Sequence, residues 1–499
     1  MELKNKRVLV VGLGKSGLAA ALFLRDRGAR VTVSDTRSAA SLAKEIPALL
    51  EAGIMVESGG HGLLTFRRQD LIVVSPGVPL ETPEVAQARA FGLTVIGELE
   101  LGYRFLAGSV LAITGSNGKT TTTTLAGKIF ADAGLKTLVG GNIGLPVVDL
   151  VAQSLAPAPV PGEGLGGEAP IALAKDAGPG AENGDIHAVM VEGGHDPAQR
   201  SSASVWSVLE VSSFQLETTV EFRPKIAVVL NITPDHLDRH KTFERYADAK
   251  ARITARQTAE DFLILNAEDK ATQMLAARTH AQIFWFSNQR RIKRGAFVHG
   301  ETLFFLGSEG GVPEPVLPLA EIPLRGAHNV ENVLAAVCAA RLAGISCASI
   351  RTSVAGFRAV EHRLELVRTL HGVEYYNDSK ATNVDATLKA LAAFPRGIHL
   401  ILGGKDKDSD YTLLGPLVSE RVARVYTIGS AAEKIERQLA GFVKIKPEPS
   451  GTLDRAVRAA AAAAVAGDVV LLAPACSSFD QFENYEHRGR AFREVVATL

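Results

Sequence analysis

The amino-acid sequence predicts an α/β protein of three domains, each built on a mostly parallel sheet. Three observations carry this. Short β-branched apolar runs alternate with longer helical stretches along the chain. Two of those runs lead directly into glycine-rich turns that open helices. The 499 residues, 46% of them hydrophobic, are enough for about three cores.

The first domain is read over residues 1–97. Residues 7–11 form a buried-strand run, followed by Gly12-Leu13-Gly14-Lys15-Ser16-Gly17 and an Ala/Leu-rich helix. Residues 31–35 and 71–75 are the next strands, and Asp35 closes the first of them. This is the layout of a Rossmann-like dinucleotide fingerprint, with helix N-terminal amides facing a diphosphate. The same geometry serves the diphosphate of a UDP-sugar, and glycines at this spacing also occur where a helix merely packs tightly on a strand. An NAD-dependent oxidoreductase and a UDP-sugar binder are therefore both open at this point, with Asp35 accepting from a ribose hydroxyl or a base N–H.

The second domain is read over 98–358. An apolar run at 110–113 flows into Thr114-Gly115-Ser116-Asn117-Gly118-Lys119-Thr120-Thr121, and a helix is predicted to follow to Ala133. Backbone amides of such a loop cradle phosphates, Lys119 offers a point charge, and Thr120 offers a hydroxyl to Mg²⁺. The loop is a shortened form, since Ile113 stands where a further glycine is usual. Further buried strands are expected at 206–211, 226–231 and 262–266. In parallel sheets the strand C-terminal ends meet at one crevice. Glu210 and the turn Asn231-Ile232-Thr233-Pro234-Asp235-His236 should therefore converge on the phosphate loop. Glu210 and His236 could hold Mg²⁺ there; a capping or surface role is the alternative for each.

The third domain, 359–499, has strands expected at 398–402, 425–428 and 469–473. Residues from about 153 to 203 interrupt the rhythm. They are crowded with Ala, Pro and Gly, and bury too little apolar surface to offset their conformational entropy. We read them as a flexible surface insertion, with 186–191 a candidate short strand.

Lys+Arg and Asp+Glu both number 54, so the formal net charge is zero and nothing in it argues for nucleic acid or an anionic membrane. Cys338, Cys347 and Cys476 have neither metal-ligand nor disulfide spacing, which suits a reducing cytoplasm. The start of the chain enters a strand without a signal-like segment, and the small-residue run 459–466 is too short to span a bilayer. A cytoplasmic monomer without membrane insertion is the expectation.

Several motifs in one order resemble the Mur ligase family. They are Thr114–Thr121, Gly140-Gly141-Asn142-Ile143-Gly144, Glu210-Val211-Ser212-Ser213-Phe214-Gln215-Leu216-Glu217 and residues 231–239. Gly326-Ala327-His328-Asn329-Val330-Glu331-Asn332, Asn377-Asp378-Ser379-Lys380-Ala381-Thr382-Asn383 and Leu402-Gly403-Gly404-Lys405-Asp406 extend the match. The stretch 474–489 points to the branch that adds D-glutamate. The resemblance implies a central domain like a P-loop ATPase between two Rossmann-like domains. It further implies ATP-dependent, Mg²⁺-dependent ligation of D-glutamate to UDP-N-acetylmuramoyl-L-alanine through an acyl phosphate and a tetrahedral intermediate.

Site roles follow from the same resemblance. ATP would be held by Gly115, Ser116, Asn117, Gly118, Lys119, Thr120, Thr121, Asn266, Asp269, Arg363 and Asp378. Metal would be held by Thr120, Glu210, His236 and a carbamylated Lys250. Judged alone, Lys250 reads as an ordinary solvated helix lysine. Lys119, His236, Lys250 and Lys380 would serve catalysis. The UDP-substrate would meet Gly14, Lys15, Ser16, Asp35, Thr36, Arg37 and Asn142. D-Glutamate would meet Thr382, Lys405, Ser478, Phe479 and Tyr485, although the family often has Phe at this last position. Rival readings are another Mur ligase, a folylpolyglutamate-synthase-like amide ligase, and a non-catalytic nucleotide-binding protein. The stretches 210–217 and 474–489 argue against the first two, and the retained lysines and metal ligands against the third. An oxidoreductase would account for the first domain only.

Overall fold

The structure is a computed structural model that describes residues 1–156, 205–358 and 360–499. Among the described residues there are three sheets. The first comprises β1 (Arg7–Val11), β2 (Arg30–Asp35), β3 (Met55–Ser58), β4 (Leu71–Val74) and β5 (Val95–Gly97). Their order is β3-β2-β1-β4-β5 and every pairing is parallel. The order reverses between β1 and β4, so the Gly12–Gly17 turn after β1 lies at a topological switch point. β1 and β4 are apolar on both faces because helices cover both. Val8 and Val10 pack with Ala20 and Leu24; Leu9 and Val11 pack with Phe66 and Val85.

The second sheet comprises β6 (Ser109–Thr114), β7 (Lys136–Gly141), β8 (Val205–Glu210), β9 (Ile226–Val229), β10 (Phe262–Asn266), β11 (Gln282–Ser287), β12 (Gly295–His299), β13 (Thr302–Leu306) and β14 (Glu314–Pro318). Their order is β14-β13-β12-β11-β10-β9-β6-β8-β7. Pairing is parallel from β7 to β12, and β12 and β13 form an antiparallel hairpin around Gly300. The sequence reading anticipated β6 and β8–β10 but not the antiparallel extension. Its strands are short, and β14 contains two prolines.

The third sheet comprises β15 (Glu365–Leu370), β16 (Val373–Asn377), β17 (Ile398–Gly403), β18 (Val422–Ile428), β19 (Glu448–Gly451) and β20 (Val469–Leu472). Their order is β15-β16-β20-β17-β18-β19. β15 and β16 form a hairpin turned by His371 and Gly372, both left-handed; the other pairings are parallel.

The chain divides into two compact units. Met1–Leu317 with Leu334–Ser353 carries the first two sheets, and Pro318–Val333 with Val354–Leu499 carries the third. The helix Val147–Leu155 runs through the first residues of the expected insertion, which from residue 157 on lies outside the described residues. That helix has a strongly apolar face, with Val147, Val148, Leu150 and Val151 buried. The candidate strand at 186–191 lies outside the described residues. Among the described residues no helix is long and apolar enough to cross a membrane.

Two carboxylates pack where the first sheet meets the second. Glu100 is fully buried and accepts from the amides of Val220, Glu221 and Phe222 at 2.9, 2.9 and 3.1 Å and from Arg104 Nε at 2.8 Å. Glu98 is equally buried and far less well served. Its Oε1 accepts from the Val148 amide at 2.8 Å, capping the helix Val147–Leu155, but its Oε2 has no partner. Burial, reinforced by Asp149 and opposed by the Val148 and Val147 amides, pushes the Glu98 carboxyl up to about 7. The folded state therefore holds a proton that the unfolded state releases near 4.5. The resulting stabilisation is complete below that pH and disappears as pH rises through about 7. We expect Glu98→Gln, which keeps the accepting carbonyl, to unfold in urea like the wild type at pH 5. At pH 8 it should be more stable than the wild type by on the order of 2–3 kcal/mol. Equal differences at both pH values would contradict this.

Candidate active site

In the first unit, the chain leaves β6 at Thr114 and turns through Gly115 and Gly118. Gly118 is left-handed, with φ +86°, a conformation open to glycine at little cost, and Lys119 begins the helix Lys119–Asp132. The loop is clasped to the segment after β9. The Ser116 amide donates to Asn231 O at 2.9 Å, and the Asn117 amide to Asn231 Oδ1 at 2.8 Å. Asn231 Nδ2 returns a bond to Asn117 O at 3.1 Å. Ser116 Oγ donates to Thr233 O, accepts from the Thr233 amide, both at 2.9 Å, and lies 3.0 Å from the Tyr246 hydroxyl. Asn231 and Tyr246 as anchors were missed in the sequence, since neither role leaves a local pattern.

The side chains expected around phosphate and metal gather here in part. Thr120 Oγ1 donates to Glu210 Oε2 at 2.7 Å, and Asn142 Nδ2 donates to Glu210 Oε1 at 2.8 Å. Asn142, expected against the nucleotide sugar, thus stands beside the Thr120–Glu210 pair. These oxygens are the hard donors that Mg²⁺ prefers, and the loop amides with Lys119 suit a triphosphate, so the residues fit both groups. Lys119 Nζ donates to the carbonyls of Gly115 and Ser116, each at 2.9 Å.

Lys250, on the helix Phe243–Ala251, is 1% exposed rather than solvated, and its Nζ also donates to Gly115 O at 2.9 Å. Burial first and the Lys119 charge second hold its amine well below the usual lysine range, against the pull of Asp235 and Glu210. His236 is different. It sits left-handed at the start of the helix Leu237–His240, its side chain 42% exposed and its ring edge-on to Phe214 at 5.0 Å. Among the described residues no three His, Cys, Asp or Glu side chains cluster as a metal site.

Asn266 and Asp269, expected near adenine, tie the β9 and β10 ends together. Asn266 donates to Leu230 O at 3.1 Å and accepts from the Glu268 amide at 2.9 Å. Asp269 accepts from the amides of Ile232 and Thr272 at 3.1 and 2.8 Å.

In the first sheet Asp35 acts as a clasp. It accepts from the Leu13 amide at 2.7 Å and from the Arg37 amide, Nε and Nη2 at 2.8, 3.1 and 2.9 Å, while Arg37 Nη2 also reaches Leu13 O. Burial opposes its ionisation, yet Arg37 and these amides hold the carboxyl at about 2. Both oxygens are engaged, so Asp35 shapes the glycine turn before it could read a ribose. The glycines divide by role. A Cβ at Gly17 would lie 2.0 Å from Gly12 O, whereas one at Gly14 would meet nothing within 4 Å. Gly17 serves packing, and Gly14 leaves the turn open to a ligand. Lys15 Nζ spans from this turn to Gly144 O at 2.8 Å; Ser16 is partly exposed and Thr36 exposed.

In the second unit the expected residues line the C-terminal ends of β16, β17 and β20. Asp378 accepts from the Leu364 amide at 3.2 Å, and burial pushes its carboxyl up to about 7 despite that amide and Arg363. Arg363 stands between His362 and Leu364, both left-handed at φ +63° and +46°, a strained stretch of backbone. Lys380 Nζ lies 3.6 Å from the Tyr485 ring centroid, and the Thr382 amide donates to Lys380 O. The exposed Lys405 is bridged to Ser477 through its amide at 2.9 Å, while Ser477 Oγ returns a bond at 3.1 Å. Ser478 is buried and Phe479 is 67% exposed. Arg488 was not singled out in the sequence. No local pattern marks it: it shares one helical stripe with Phe492 and Val496, and the structure buries all three.

Comparison with known proteins now decides the family. Residues 6–97 match the Mur ligase MurD-like N-terminal domain, 198–340 the Mur ligase middle domain, and 362–476 the Mur ligase glutamate ligase domain. A UDP-N-acetylmuramoylalanine–D-glutamate ligase from Acidobacterium capsulatum is 62% identical over 99% of this chain and 97% of its own. The chain belongs to the Mur ligase family. Another relative bearing that name, from Geobacter metallireducens, is 42% identical over 100% of this chain and 99% of its own. Solved Mur ligases share the fold at low identity. The UDP-N-acetylmuramate-alanine ligase MurC of Thermotoga maritima aligns with a TM-score of 0.56 and 17% identity, covering 99% of this chain and 100% of that one. A pseudomurein peptide ligase type C of Methanothermus fervidus gives 0.55 and 19% over the same shares.

For this Mur ligase we expect Lys119→Ala to fold normally and to lose at least about 100-fold in ATP-dependent phosphate release. Circular dichroism and a thermal melt check the first part, and a phosphate assay the second. Near-normal turnover in the folded variant would remove the phosphate-loop role.

Proposed function

We propose that this chain is a cytoplasmic, monomeric ligase that joins D-glutamate to UDP-N-acetylmuramoyl-L-alanine, forming ADP and phosphate. One observation carries the reading: the phosphate loop, the Thr120–Glu210 pair and the buried Lys250 meet around Gly115. Relatives of the same printed name, matched over nearly the whole chain, support the choice of substrates.

The chemical problem is that a carboxylate resists attack by an amine. In the proposed reaction a carboxylate oxygen of the L-alanyl group attacks the γ-phosphorus and ADP leaves, giving an acyl phosphate. The D-glutamate amine then attacks the acyl carbon, and the tetrahedral intermediate expels phosphate and loses a proton. Both partners of the first step are anionic, so positioned cations supply most of the catalysis. Mg²⁺, when bound, would neutralise phosphate charge and draw the two anions together. Thr120 and Glu210 would hold one ion; His236 and Lys250 would face a second. Lys119 and the loop amides would grip the β- and γ-phosphates. Asn266, Asp269, Arg363 and Asp378 would complete the ATP contacts. Gly14, Lys15, Ser16, Asp35, Thr36, Arg37 and Asn142 would serve the UDP-substrate. Thr382, Lys405, Ser478, Phe479 and Tyr485 would receive D-glutamate, with Lys380 stabilising developing charge. The domain limits near 97 and 358 belong to the same reading.

Lys250 serves as a carbamate. Its buried setting favours the neutral amine, which is the form that attacks CO₂. A bond forms between Nζ and the carbon of CO₂, one amine proton passes to solvent, and the neutral amine becomes an anionic carbamate that offers oxygen ligands. A bare ammonium would repel the metal.

Two outcomes test the reading. Phosphate release should require the nucleotide substrate, D-glutamate, ATP and Mg²⁺ together, and equal turnover with L-glutamate, L-lysine or meso-diaminopimelate would defeat it. Lys250→Ala should lose most activity and regain part of it with a small carboxylic acid; full activity at limiting Mg²⁺ would defeat the carbamate.

A further inference from the structure

We infer that Arg488 is a positioning residue for amino-acid binding: its buried guanidinium locks the turn 379–382 and the turn 476–478 into one geometry. The inference rests on the D-glutamate reading given above.

Arg488 lies on the helix Tyr485–Ala497 and is 0% exposed. Its Nε donates to Ser379 Oγ at 3.0 Å, and its Nη2 to Ser379 O at 2.8 Å and Cys476 O at 3.1 Å. Its Nη1 reaches Ser477 O at 3.4 Å. Ser379 Oγ in turn donates to Tyr485 O at 2.8 Å. One planar fork therefore ties together the backbone that bears Lys380 and Thr382, the backbone that bears Ser478, and Tyr485. Lys405 joins the same assembly through its bridge to Ser477. The backbone leaves room for this group. A Cβ at Gly404, where φ is +135°, would meet Ser477 O at 2.3 Å and Arg488 Nη1 at 3.1 Å.

Packing alone does not explain an arginine here. Burying a charge is costly unless it is well partnered, and every acceptor that Arg488 donates to is a carbonyl or a hydroxyl, the Asp480 carboxylate attracting it but accepting none of these bonds. An apolar side chain could fill the same stripe beside Phe492 and Val496, but it would strand the carbonyls of Ser379 and Cys476. Only a group with five donors in a fixed plane can satisfy two turns at once and hold their separation. That separation sets the spacing of the side chains that would grip D-glutamate.

The test is steady-state kinetics on the full chain, varying each substrate in turn, for Arg488→Lys, Arg488→Met and Ser379→Ala. We expect KM for D-glutamate to rise about tenfold in Arg488→Lys, more in Arg488→Met and less in Ser379→Ala. KM for ATP and for the nucleotide substrate should stay within about twofold. Ser379→Ala keeps the test decisive if Arg488→Met fails to fold, because it deletes only the hydroxyl link. A parallel rise in all three KM values, or a fall in kcat with KM for D-glutamate unchanged, would mark a merely structural role and overturn the inference. Wild-type protein that ignores D-glutamate would overturn the functional reading and the inference with it.

Discussion

Parallel pairing of β9, β6 and β8 is the constraint on which the nucleotide half of this protein depends. In that register Ile113 lies opposite Glu210 and Thr114 opposite Val229. The three strands therefore end at one level, and the segments after them emerge side by side. The phosphate loop, Glu210 and Asn231 become neighbours although about a hundred residues of chain separate them. Every later feature uses this alignment, from the Thr120–Glu210 hydrogen bond to the Asn231 clasp on the loop.

Electrostatics then divides labour within a few ångströms. Lys119 and Lys250 donate to the same Gly115 carbonyl. Two ammonium groups cannot both sit there cheaply. The one without water yields, and burial selects Lys250. The first sheet resolves the opposite case. Asp35 is also buried but is surrounded by amides and a guanidinium, so it stays ionised and braces the glycine turn. Glu98 and Asp378 have such partners too, but burial outweighs them and pushes both carboxyls toward neutrality.

The second unit is organised by a cation instead. Its expected amino-acid contacts come from the ends of three strands and from the start of the last helix. No one strand could fix their spacing. A buried guanidinium donating to backbone carbonyls fills that need without adding a side chain to the pocket itself.

Much of this was legible in the sequence. Buried parallel strands such as β1, β6 and β20 are short continuous apolar runs, and glycine turns before helices mark phosphate sites by local geometry alone. The family was readable because its motifs are compact and follow strand ends. The strands β12–β15 were less visible, being short and only partly apolar. Tertiary structure alone decided that Lys250 is buried, that Asp35 is clasped by Arg37, and that Asn142 faces Glu210 rather than standing apart. It also decided that Arg488 points inward. The physical reason is common to all four. Motif and periodicity are local properties, whereas burial, and with it charge state and hydrogen-bond partner, depends on which distant segments the sheet brings together.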